Sequence, residues 1–493
     1  MFSLFPSPYD ATYRTCCKPT GRKENSGIVQ TPKLMALAGI ILAAGKGTRM
    51  KSDVPKVMHL CMGIPMVELV GRAMRGAGVQ RVVAVVGHGA ELVKSHLSDQ
   101  GFAFALQSVQ LGTGHAALMA KDVFASFQGA ILITPGDTPL LTAEALAEVV
   151  RVHTEANSLA TIASINLQDP TGYGRIVRNV AGKPIRIVEQ KDASPEEQKI
   201  TEVNSSVYCF DSQTLFRILP TLGNNNAQGE YYLTDVIAQI VKEGGATEAV
   251  CFKDPDLFMG VNDRWHLAEA SGKLRTRILK SHALNGVTII DPGTTFISPD
   301  VEIGIDTVIE PMTILEGKST IGANCQIGPN SKLSHAKVGN GCRILASHVD
   351  NSEVGDDARI GPFAHLRLGS KIGDGVKIGN FVETKKTTMG DRSSAGHLAY
   401  LGDSSVGSGA NIGAGTITCN YDGYNKHRTQ VGDGAFIGSN STLVAPVTIA
   451  EGAYVAAGSV ITNDVEEDAL ALGRARQVEK IGWVKAWREK NSS

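Results

Sequence analysis

The sequence predicts an α/β domain followed by a parallel β-helix, and three observations support this prediction. Long stretches of the C-terminal half repeat an aliphatic residue six positions apart, as at Ile303, Ile309 and Leu315. A hexapeptide period is typical of a parallel β-helix. The N-terminal half instead alternates strand-like and helix-like stretches, which indicates an α/β domain. A chain of 493 residues also exceeds what one hydrophobic core normally holds, so we expect more than one domain.

The composition excludes several classes of function. The net charge is −1 and 42% of the residues are hydrophobic, so bulk electrostatics favours neither a nucleic acid nor a membrane surface as partner. No apolar run reaches the length that spans a membrane. The eight cysteines are scattered without a C-x-x-C pair, which argues against a zinc site and a disulfide framework. We therefore expect reduced thiols and a cytoplasmic protein.

Residues 1–35 differ from the rest of the chain. They contain a Cys-Cys pair and several prolines but no helical or strand period. They lack the apolar stretch of a signal peptide, and no amphipathic pattern supports a transit peptide. We expect a disordered extension, or a start assigned too early, with Met35 as the natural first residue.

The elements of the α/β domain are expected within residues 36–261. Strands are predicted at 38–42, 81–86 and 130–133, and helices at 66–77, 92–97 and 142–156. This alternation predicts a mainly parallel sheet.

A connecting helix is expected within residues 262–286, and the β-helix within 287–465. The hexapeptide period is interrupted between Val382 and Tyr400 and again between Thr418 and Val431. In a solenoid such interruptions form loops on one face, often the binding face. Residues 466–493 are expected to form a tail that begins acidic and ends basic.

A glycine-rich string directly follows the first predicted strand. It reads Leu42-Ala43-Ala44-Gly45-Lys46-Gly47-Thr48-Arg49-Met50 and is followed by Pro55-Lys56. Glycines at a strand-to-helix turn let backbone N–H groups approach phosphates, and Arg49 and Lys56 add positive charge. The string is neither a P-loop nor a dinucleotide fingerprint. Asp137 follows another apolar strand, so its carboxylate is expected at the ligand-binding edge of the sheet, where it suits Mg²⁺.

These strings resemble the signature of the sugar-phosphate nucleotidyltransferases. Together with the hexapeptide repeats they are similar to the family of bacterial bifunctional enzymes that make UDP-N-acetylglucosamine, a precursor of peptidoglycan and lipopolysaccharide. The resemblance extends over about residues 36–480. It implies a Rossmann-like nucleotidyltransferase domain, a left-handed β-helix and a homotrimer with shared acetyltransferase sites. Its further strings lie at 107–116, 135–140, 172–175, 189–193, 202–205 and 226–232.

For the N-terminal domain, the resemblance implies attack by a sugar-1-phosphate on the α-phosphorus of UTP. It assigns Mg²⁺, with Mn²⁺ as the alternative, to Asp137 and Asn262. It assigns N-acetylglucosamine binding to Gly174, Glu189, Asn204 and Asn262. Ser206 departs from the glycine that many relatives carry there. The predicted UTP and phosphate contacts are Leu42, Ala43, Ala44, Gly45, Arg49, Lys56, Gln107, Gly112 and Thr113.

The β-helix carries a second set of candidate residues around His397. Amide formation needs a base with a pKa near the working pH, and histidine is the usual choice. The resemblance makes His397 the base of an acetyltransferase. It assigns glucosamine-1-phosphate to Arg367, Lys385, Tyr400 and Asn411. The implied acetyl-CoA contacts are Ala414, Asn420, Tyr421, Ser439, Ala457 and Arg474.

Three hypotheses about function remain at this stage. The favoured one is a bifunctional enzyme that acetylates glucosamine-1-phosphate and then uridylates the product, with acetyl-CoA and UTP as co-substrates. The second is a nucleotidyltransferase with a regulatory or oligomerising β-helix, which the presence of His397 and Lys385 disfavours. The third is a non-catalytic scaffold, which the glycine-rich string and Asp137 disfavour.

Overall fold

The computed structural model describes residues 36–492, so the extension predicted at residues 1–35 lies outside the described residues. The strands of the N-terminal part are β1 Leu37–Ala43, β2 Leu60–Cys61, β3 Ile64–Pro65, β4 Arg81–Val86, β5 Ala103–Leu106, β6 Ala130–Pro135, β7 Ala160–Asn166, β8 Arg175–Arg178, β9 Pro184–Val188, β10 Glu202–Asp211 and β11 Thr247–Phe252. The helices are α1 Met66–Gly76, α2 Ala90–Leu97, α3 Thr113–Leu118, α4 Ala143–Glu155, α5 Ser212–Ile218, α6 Asp235–Lys242, α7 Arg264–Leu284 and, at the C-terminus, α8 Trp483–Asn491.

The main sheet of this part has the strand order β11-β7-β10-β6-β1-β4-β5. β5, β4, β1 and β6 are parallel, whereas β10 runs antiparallel to both β6 and β7. The predicted parallel sheet is therefore interrupted by one reversed strand. β8 and β9 form a hairpin that extends from β10. Helices pack on both faces and bury two apolar layers, since alternate side chains of each strand point to opposite faces.

The predicted elements of the N-terminal half are all observed, with ends displaced by at most two residues. Arg81–Val86 is a strand as predicted, and α4 begins after Thr142, whose side-chain oxygen accepts a hydrogen bond from Ala145 N at 3.2 Å. Asp263 caps α7 in the same way through Trp265 N and His266 N. Among residues 36–492, no helix combines the length and the apolar character that crossing a membrane requires.

The C-terminal part is a left-handed parallel β-helix with three faces, each a stack of short parallel strands. The first face contains Thr288–Ile289, Val308–Ile309, Gln326–Ile327, Arg343–Ile344, Arg359–Ile360, Lys377–Asn380, Ser394–His397, Asn411–Ile412, Phe436–Ile437, Tyr454–Val455 and Leu470–Ala471. The second contains Phe296–Ile297, Ile314–Glu316, Lys332–Ser334, His348–Asp350, His365–Arg367, Glu383–Lys385, Tyr400–Gly402, Ile417–Cys419, Thr442–Val444 and Val460–Ile461. The third contains Glu302–Ile303, Thr320–Ile321, Lys337–Val338, Glu353–Val354, Lys371–Ile372, Thr388–Met389, Ser404–Val406, Thr429–Val431 and Val447–Ile449.

The six-residue period places one aliphatic side chain of each strand inside the solenoid. Ile309, Leu366 and Ile437 are among the fully buried residues of a single continuous core. Hydroxyl side chains satisfy carbonyl groups at the corners, as where Thr307 Oγ1 donates to Gly322 O at 2.8 Å. Such bonds matter because an unpaired buried carbonyl is costly.

The loop that was predicted between Val382 and Tyr400 is absent, and that prediction was wrong. The strands continue through this stretch, because the corner between Lys385 and Thr388 has one residue fewer than the matching corner between Arg367 and Lys371. The shift changes the phase of the repeat without inserting a loop. The second interruption does form a loop, residues 420–428, which projects between the strands Ile417–Cys419 and Thr429–Val431.

Candidate active sites

The first candidate site is a cavity of about 430 Å³ at the carboxyl ends of β1 and β6. Ligands of α/β sheets bind at this edge. Most of the residues predicted for the nucleotide and the sugar line the cavity, namely Leu42, Ala43, Ala44, Gly45, Lys56, Gln107, Gly112, Thr113, Asp137, Glu189 and Asn204. Arg49, Gly174 and Asn262 do not line the cavity but adjoin it: Gly174 O accepts a hydrogen bond from the lining residue Asn204, and Arg49 donates to Asn262.

The glycine-rich loop brings Lys56 to the cavity. Gly47 has a φ of 60°, and a Cβ atom there would lie 2.5 Å from Lys56 Cβ. The loop can close on Lys56 only because residue 47 lacks a side chain. On the other side of the loop, Gln110 Nε2 donates to Ala44 O at 2.6 Å. Gln110 was not among the predicted contacts.

The end of the cavity predicted to hold the nucleobase, called the base end below, is built from buried polar groups. Gln107 is buried and donates from Nε2 to Gly112 O at 3.1 Å. Gly112 has a φ of 108°, and a Cβ atom there would lie 2.6 Å from Tyr231 O. The hydroxyl of Thr113 accepts a hydrogen bond from Leu233 N at 3.1 Å. These contacts fix a backbone edge that can read a nucleobase by hydrogen bonding.

The phosphate end pairs two cations with the two predicted metal ligands. Lys56 Nζ contacts the Asp137 carboxylate, and Arg49 Nη2 donates to Asn262 Oδ1 at 2.7 Å. The backbone bond from Val261 N to Asp137 O, at 2.9 Å, brings Asn262 beside Asp137. A carboxylate and an amide oxygen are hard donors and fit a divalent cation whose other ligands are phosphate oxygens and water.

The sugar end gathers the remaining predicted residues around Glu189. Burial raises the pKa of the Glu189 carboxyl, and Asp235 and Asp192 raise it further. A Cβ atom on Gly174 would lie 3.3 Å from Glu189 Oε1, and Gly174 O accepts a hydrogen bond from Asn204 N at 2.8 Å. Position 206, where the sequence departs from glycine, has a φ of 63° in Ser206, and its N–H donates to Asn204 Oδ1 at 3.0 Å. The serine accepts a left-handed conformation that glycine adopts freely.

The second candidate site lies on the outer surface of the β-helix, where cations converge. Arg367 and Lys385 stack on adjacent coils, and Arg367 Nη1 donates to the Glu383 carboxylate at 2.6 Å. The pKa of Lys385 is lowered chiefly by the charge of Lys426 and next by that of Arg367. Lys426 belongs to the projecting loop and was not predicted. Three cations at one place favour a bound phosphate.

The corner that follows the first face holds the predicted base. Residues at this corner stack on successive coils, and backbone N–H groups of one coil donate to carbonyls of the coil before it, as in Leu398 N to Asn380 O at 3.0 Å and Asn440 N to Ala414 O at 2.6 Å. We call this stack the corner column; its members are Asn380, His397, Ala414, Ser439 and Ala457. His397 and three of the predicted acetyl-CoA contacts are therefore in line.

The other predicted residues of this site lie on the first and second faces, in the loop and after the last coil. Tyr400 stacks on Glu383, and Asn411 Oδ1 accepts a hydrogen bond from Ser394 Oγ at 2.9 Å. Asn420 Nδ2 donates to the Asp403 carboxylate, and Tyr421 is exposed at the base of the loop. Arg474 follows the last coil, with its Cδ 3.9 Å from the Cβ position of Gly458, next to Ala457.

Comparisons with known proteins cover both parts of the chain. The family described as nucleotidyl transferase matches residues 38–265, and the family described as bacterial transferase hexapeptide (six repeats) matches residues 351–386 and 428–463.

Similar relatives span nearly the whole described chain. The Bifunctional protein GlmU of Geobacillus sp. (strain WCH70) is 52% identical over 447 residues, which are 90% of this chain and 97% of that protein. The protein of the same name from Geobacillus thermodenitrificans (strain NG80-2) is 51% identical over 454 residues, covering 92% and 99%. That from Carboxydothermus hydrogenoformans is 51% identical over 449 residues, covering 91% and 100%.

Proposed function

The chain belongs to the family of bifunctional GlmU proteins, and on this premise we propose how its residues divide two reactions. The protein is a bifunctional transferase of UDP-N-acetylglucosamine synthesis. Its acetyltransferase moves an acetyl group from acetyl-CoA to glucosamine-1-phosphate. Its uridyltransferase joins UTP to N-acetylglucosamine-1-phosphate and releases pyrophosphate.

His397 acts as the general base of acetyl transfer. Asn380 Oδ1 lies 3.0 Å from His397 Nδ1, so that Nδ1 carries a proton and Nε2 is free to accept one. Nε2 takes a proton from the amino group of glucosamine-1-phosphate as the amine nitrogen attacks the thioester carbonyl. The carbon–sulfur bond then breaks, and the imidazolium returns that proton to the departing thiolate, so that coenzyme A leaves as the thiol. General-base catalysis of this kind contributes roughly 10²–10⁴-fold to the rate.

Glucosamine-1-phosphate is held by Arg367, Lys385 and Lys426 through its phosphate. Tyr400 and Asn411 contact the sugar. The corner column above His397 supplies Ala414, Ser439 and Ala457 to acetyl-CoA, with Asn420, Tyr421 and Arg474 beside it. Support comes from the register, since the column directs a thioester bound along it towards the imidazole one coil below.

The uridyltransferase reaction takes place in the cavity of the N-terminal domain. Leu42, Ala43, Ala44, Gly45, Gln107, Gly112 and Thr113 bind UTP, and Gly174, Glu189, Asn204 and Asn262 bind N-acetylglucosamine-1-phosphate. Arg49 and Lys56 neutralise the charge that builds up when the sugar phosphate attacks the α-phosphorus.

A divalent cation fits beside these residues, with Asp137 and Asn262 as its protein ligands. We propose Mg²⁺, with Mn²⁺ as the alternative. A bound ion would neutralise phosphate charge and orient the phosphate oxygens. On binding, Lys56 and Arg49 would exchange their contacts with Asp137 and Asn262 for contacts with the phosphates.

The same premise supports three broader assignments. The uridyltransferase occupies residues 36–261 and the acetyltransferase 287–465, joined by residues 262–286 and followed by a tail at 466–493. Within this tail, the strand Leu470–Ala471 still pairs with Tyr454–Val455 and completes the first face of the β-helix. The protein assembles as a cytoplasmic homotrimer with shared acetyltransferase sites.

The observation that supports this proposal best is the stacking of His397 on Asn380 and under Ala414, within one column of the β-helix. Two assays on the purified protein test it. We expect release of coenzyme A from acetyl-CoA with glucosamine-1-phosphate, and release of pyrophosphate from UTP with N-acetylglucosamine-1-phosphate. Pyrophosphate release alone would instead indicate a nucleotidyltransferase with an accessory β-helix.

A further inference from the structure

The projecting loop, residues 420–428, is closed by a hydrogen bond between the side chains of Asp422 and His427. His427 Nε2 lies 2.7 Å from Asp422 Oδ2. The other carboxylate oxygen, Oδ1, accepts hydrogen bonds from Tyr424 N at 2.8 Å and Asn425 N at 2.6 Å. These bonds hold the pKa of Asp422 well below its usual range, at about 2. The Asp422 carboxylate thus organises the turn and also binds the returning strand of the loop.

The closed loop determines the position of Lys426. It pairs with Tyr421 across the loop in an antiparallel bridge, and the neighbouring His427 N donates to Asn420 O at 2.8 Å. Asn420 is in turn tied to Asp403 on the β-helix. The ammonium group of Lys426 is thereby brought near Lys385, whose pKa it lowers.

The position of Lys426 is electrostatically unfavourable in the free protein. Lys385 already stacks with Arg367, and Lys426 adds a further positive charge beside Lys385 that the nearby carboxylates of Glu383 and Asp403 offset only in part. Without the backbone bridge to Tyr421 and the side-chain bond of His427, the loop would relax by moving Lys426 outward into solvent. The bond from His427 opposes this movement, since it fastens the residue next to Lys426 to the rigid Asp422 turn.

We propose that Asp422 and His427 form a positioning pair that holds Lys426 ready for the phosphate of glucosamine-1-phosphate. This inference rests on the proposed assignment of that phosphate to Arg367, Lys385 and Lys426. The pair lowers the cost of substrate binding because the loop is ordered before the substrate arrives. Neither member contacts the reacting atoms.

Replacement of His427 separates this role from simple support of the loop. His427→Phe keeps a planar side chain but removes the bond to Asp422, while the two backbone bonds that form the turn remain. We expect the KM for glucosamine-1-phosphate to rise about tenfold, as for loss of one charge-assisted hydrogen bond. The kcat of acetyl transfer and the KM for acetyl-CoA should stay within about twofold. His427→Gln retains a donor that reaches Asp422 and should restore most of the affinity.

A double-mutant cycle with Lys426→Ala tests whether the pair acts through Lys426. We expect Lys426→Ala to raise the same KM, and the addition of His427→Phe to raise it no further. The positioning role would be overturned if the effects of Lys426→Ala and His427→Phe on this KM were additive. It would also be overturned if His427→Phe and His427→Gln lost affinity equally. If Lys426→Ala has no effect, the phosphate assignment itself fails. If Lys426→Ala raises the KM for glucosamine-1-phosphate but His427→Phe does not, the phosphate assignment holds and the positioning role of the pair fails. Pyrophosphate release by the uridyltransferase reports intact protein in every variant.

Discussion

Oδ1 of Asn380 lies 3.0 Å from Nδ1 of His397, and the two residues occupy the same position on adjacent coils of the β-helix. The carbonyl of Asn380 is also bonded to Leu398 N at 3.0 Å, so its backbone is fixed relative to the imidazole. A side-chain oxygen facing Nδ1 selects the tautomer that leaves Nε2 free. Asn380 therefore orients the proposed base.

Replacement of Asn380 should impair the rate of acetyl transfer more than substrate binding. In Asn380→Ala we expect kcat to fall about tenfold or more, because the imidazole loses its preferred tautomer and orientation, with little change in either KM. In Asn380→Asp the carboxylate favours the imidazolium form, so the acidic limb of the pH–rate profile should move to higher pH. Steady-state kinetics from pH 5.5 to 9 measure both effects. An unchanged profile in Asn380→Asp would contradict the role.

Single substitutions should abolish one activity and spare the other. His397→Ala should reduce release of coenzyme A by roughly two to four orders of magnitude, since it removes the proposed general base. Release of pyrophosphate should be unaffected, because the two sites lie in separate parts of the chain.

Asp137→Ala is the matched variant for the other site. It should abolish pyrophosphate release and spare release of coenzyme A, since it removes the proposed metal ligand. Mg²⁺ titration should show weakened activation in Asp137→Asn, which keeps the shape but not the charge. Loss of both activities in either alanine variant would indicate a folding defect and not a catalytic role.

The sequence predicted the β-helix well because its determinant is local. Each short strand directs one side chain inward, so a six-residue period of aliphatic residues is itself the core, as at Leu366 and Ile378. The error at residues 382–400 has an equally local cause. A corner that is one residue shorter shifts the phase of the pattern as an insertion would, although the strands remain in register.

Some residues of the second site could not be predicted because they are separated in the sequence from the residues they approach in space, and no local pattern reveals that proximity. Nothing in the sequence distinguishes Asn380 from other corner residues. It contacts His397 because one coil of seventeen residues places the two side by side. Lys426 is an ordinary loop lysine until the loop folds back towards Lys385. By contrast, the position of Asp137 at the cavity could be predicted, because the carboxyl end of a parallel strand marks the ligand edge of the sheet.

Gly112 should be required for UTP binding, for a steric reason. A Cβ atom there would lie 2.6 Å from Tyr231 O, so Gly112→Ala must push apart two backbone segments that form the base end of the cavity. We expect the KM for UTP to rise at least about tenfold, with acetyl transfer unchanged. Gly101→Ala is the control, because Gly101 also has a positive φ, of 71°, but nothing lies within 4 Å of its Cβ position. If both substitutions changed the KM for UTP equally, the effect would come from strain at a positive φ alone and not from the close approach of Tyr231.

His153 should make the stability of the N-terminal domain depend on pH. Its side chain is buried, 3.1 Å from Thr161 Oγ1, and burial lowers its pKa from 6.5 to about 4. Between these values the unfolded chain binds a proton that the folded chain does not. Stability is therefore fully present above about pH 6.5 and decreases as the pH falls towards 4.

The expected loss between pH 7.5 and pH 5 is about 2 kcal/mol in the free energy of unfolding. His153→Gln should be less stable at pH 7.5, because the buried ring is lost, but should lack this part of the pH dependence. Urea unfolding followed by circular dichroism at both pH values measures the difference. His348→Gln removes an exposed histidine from the β-helix and should show the same pH dependence of stability as the unmodified protein. If His153→Gln retained the full dependence, the proton uptake would have to occur at another group.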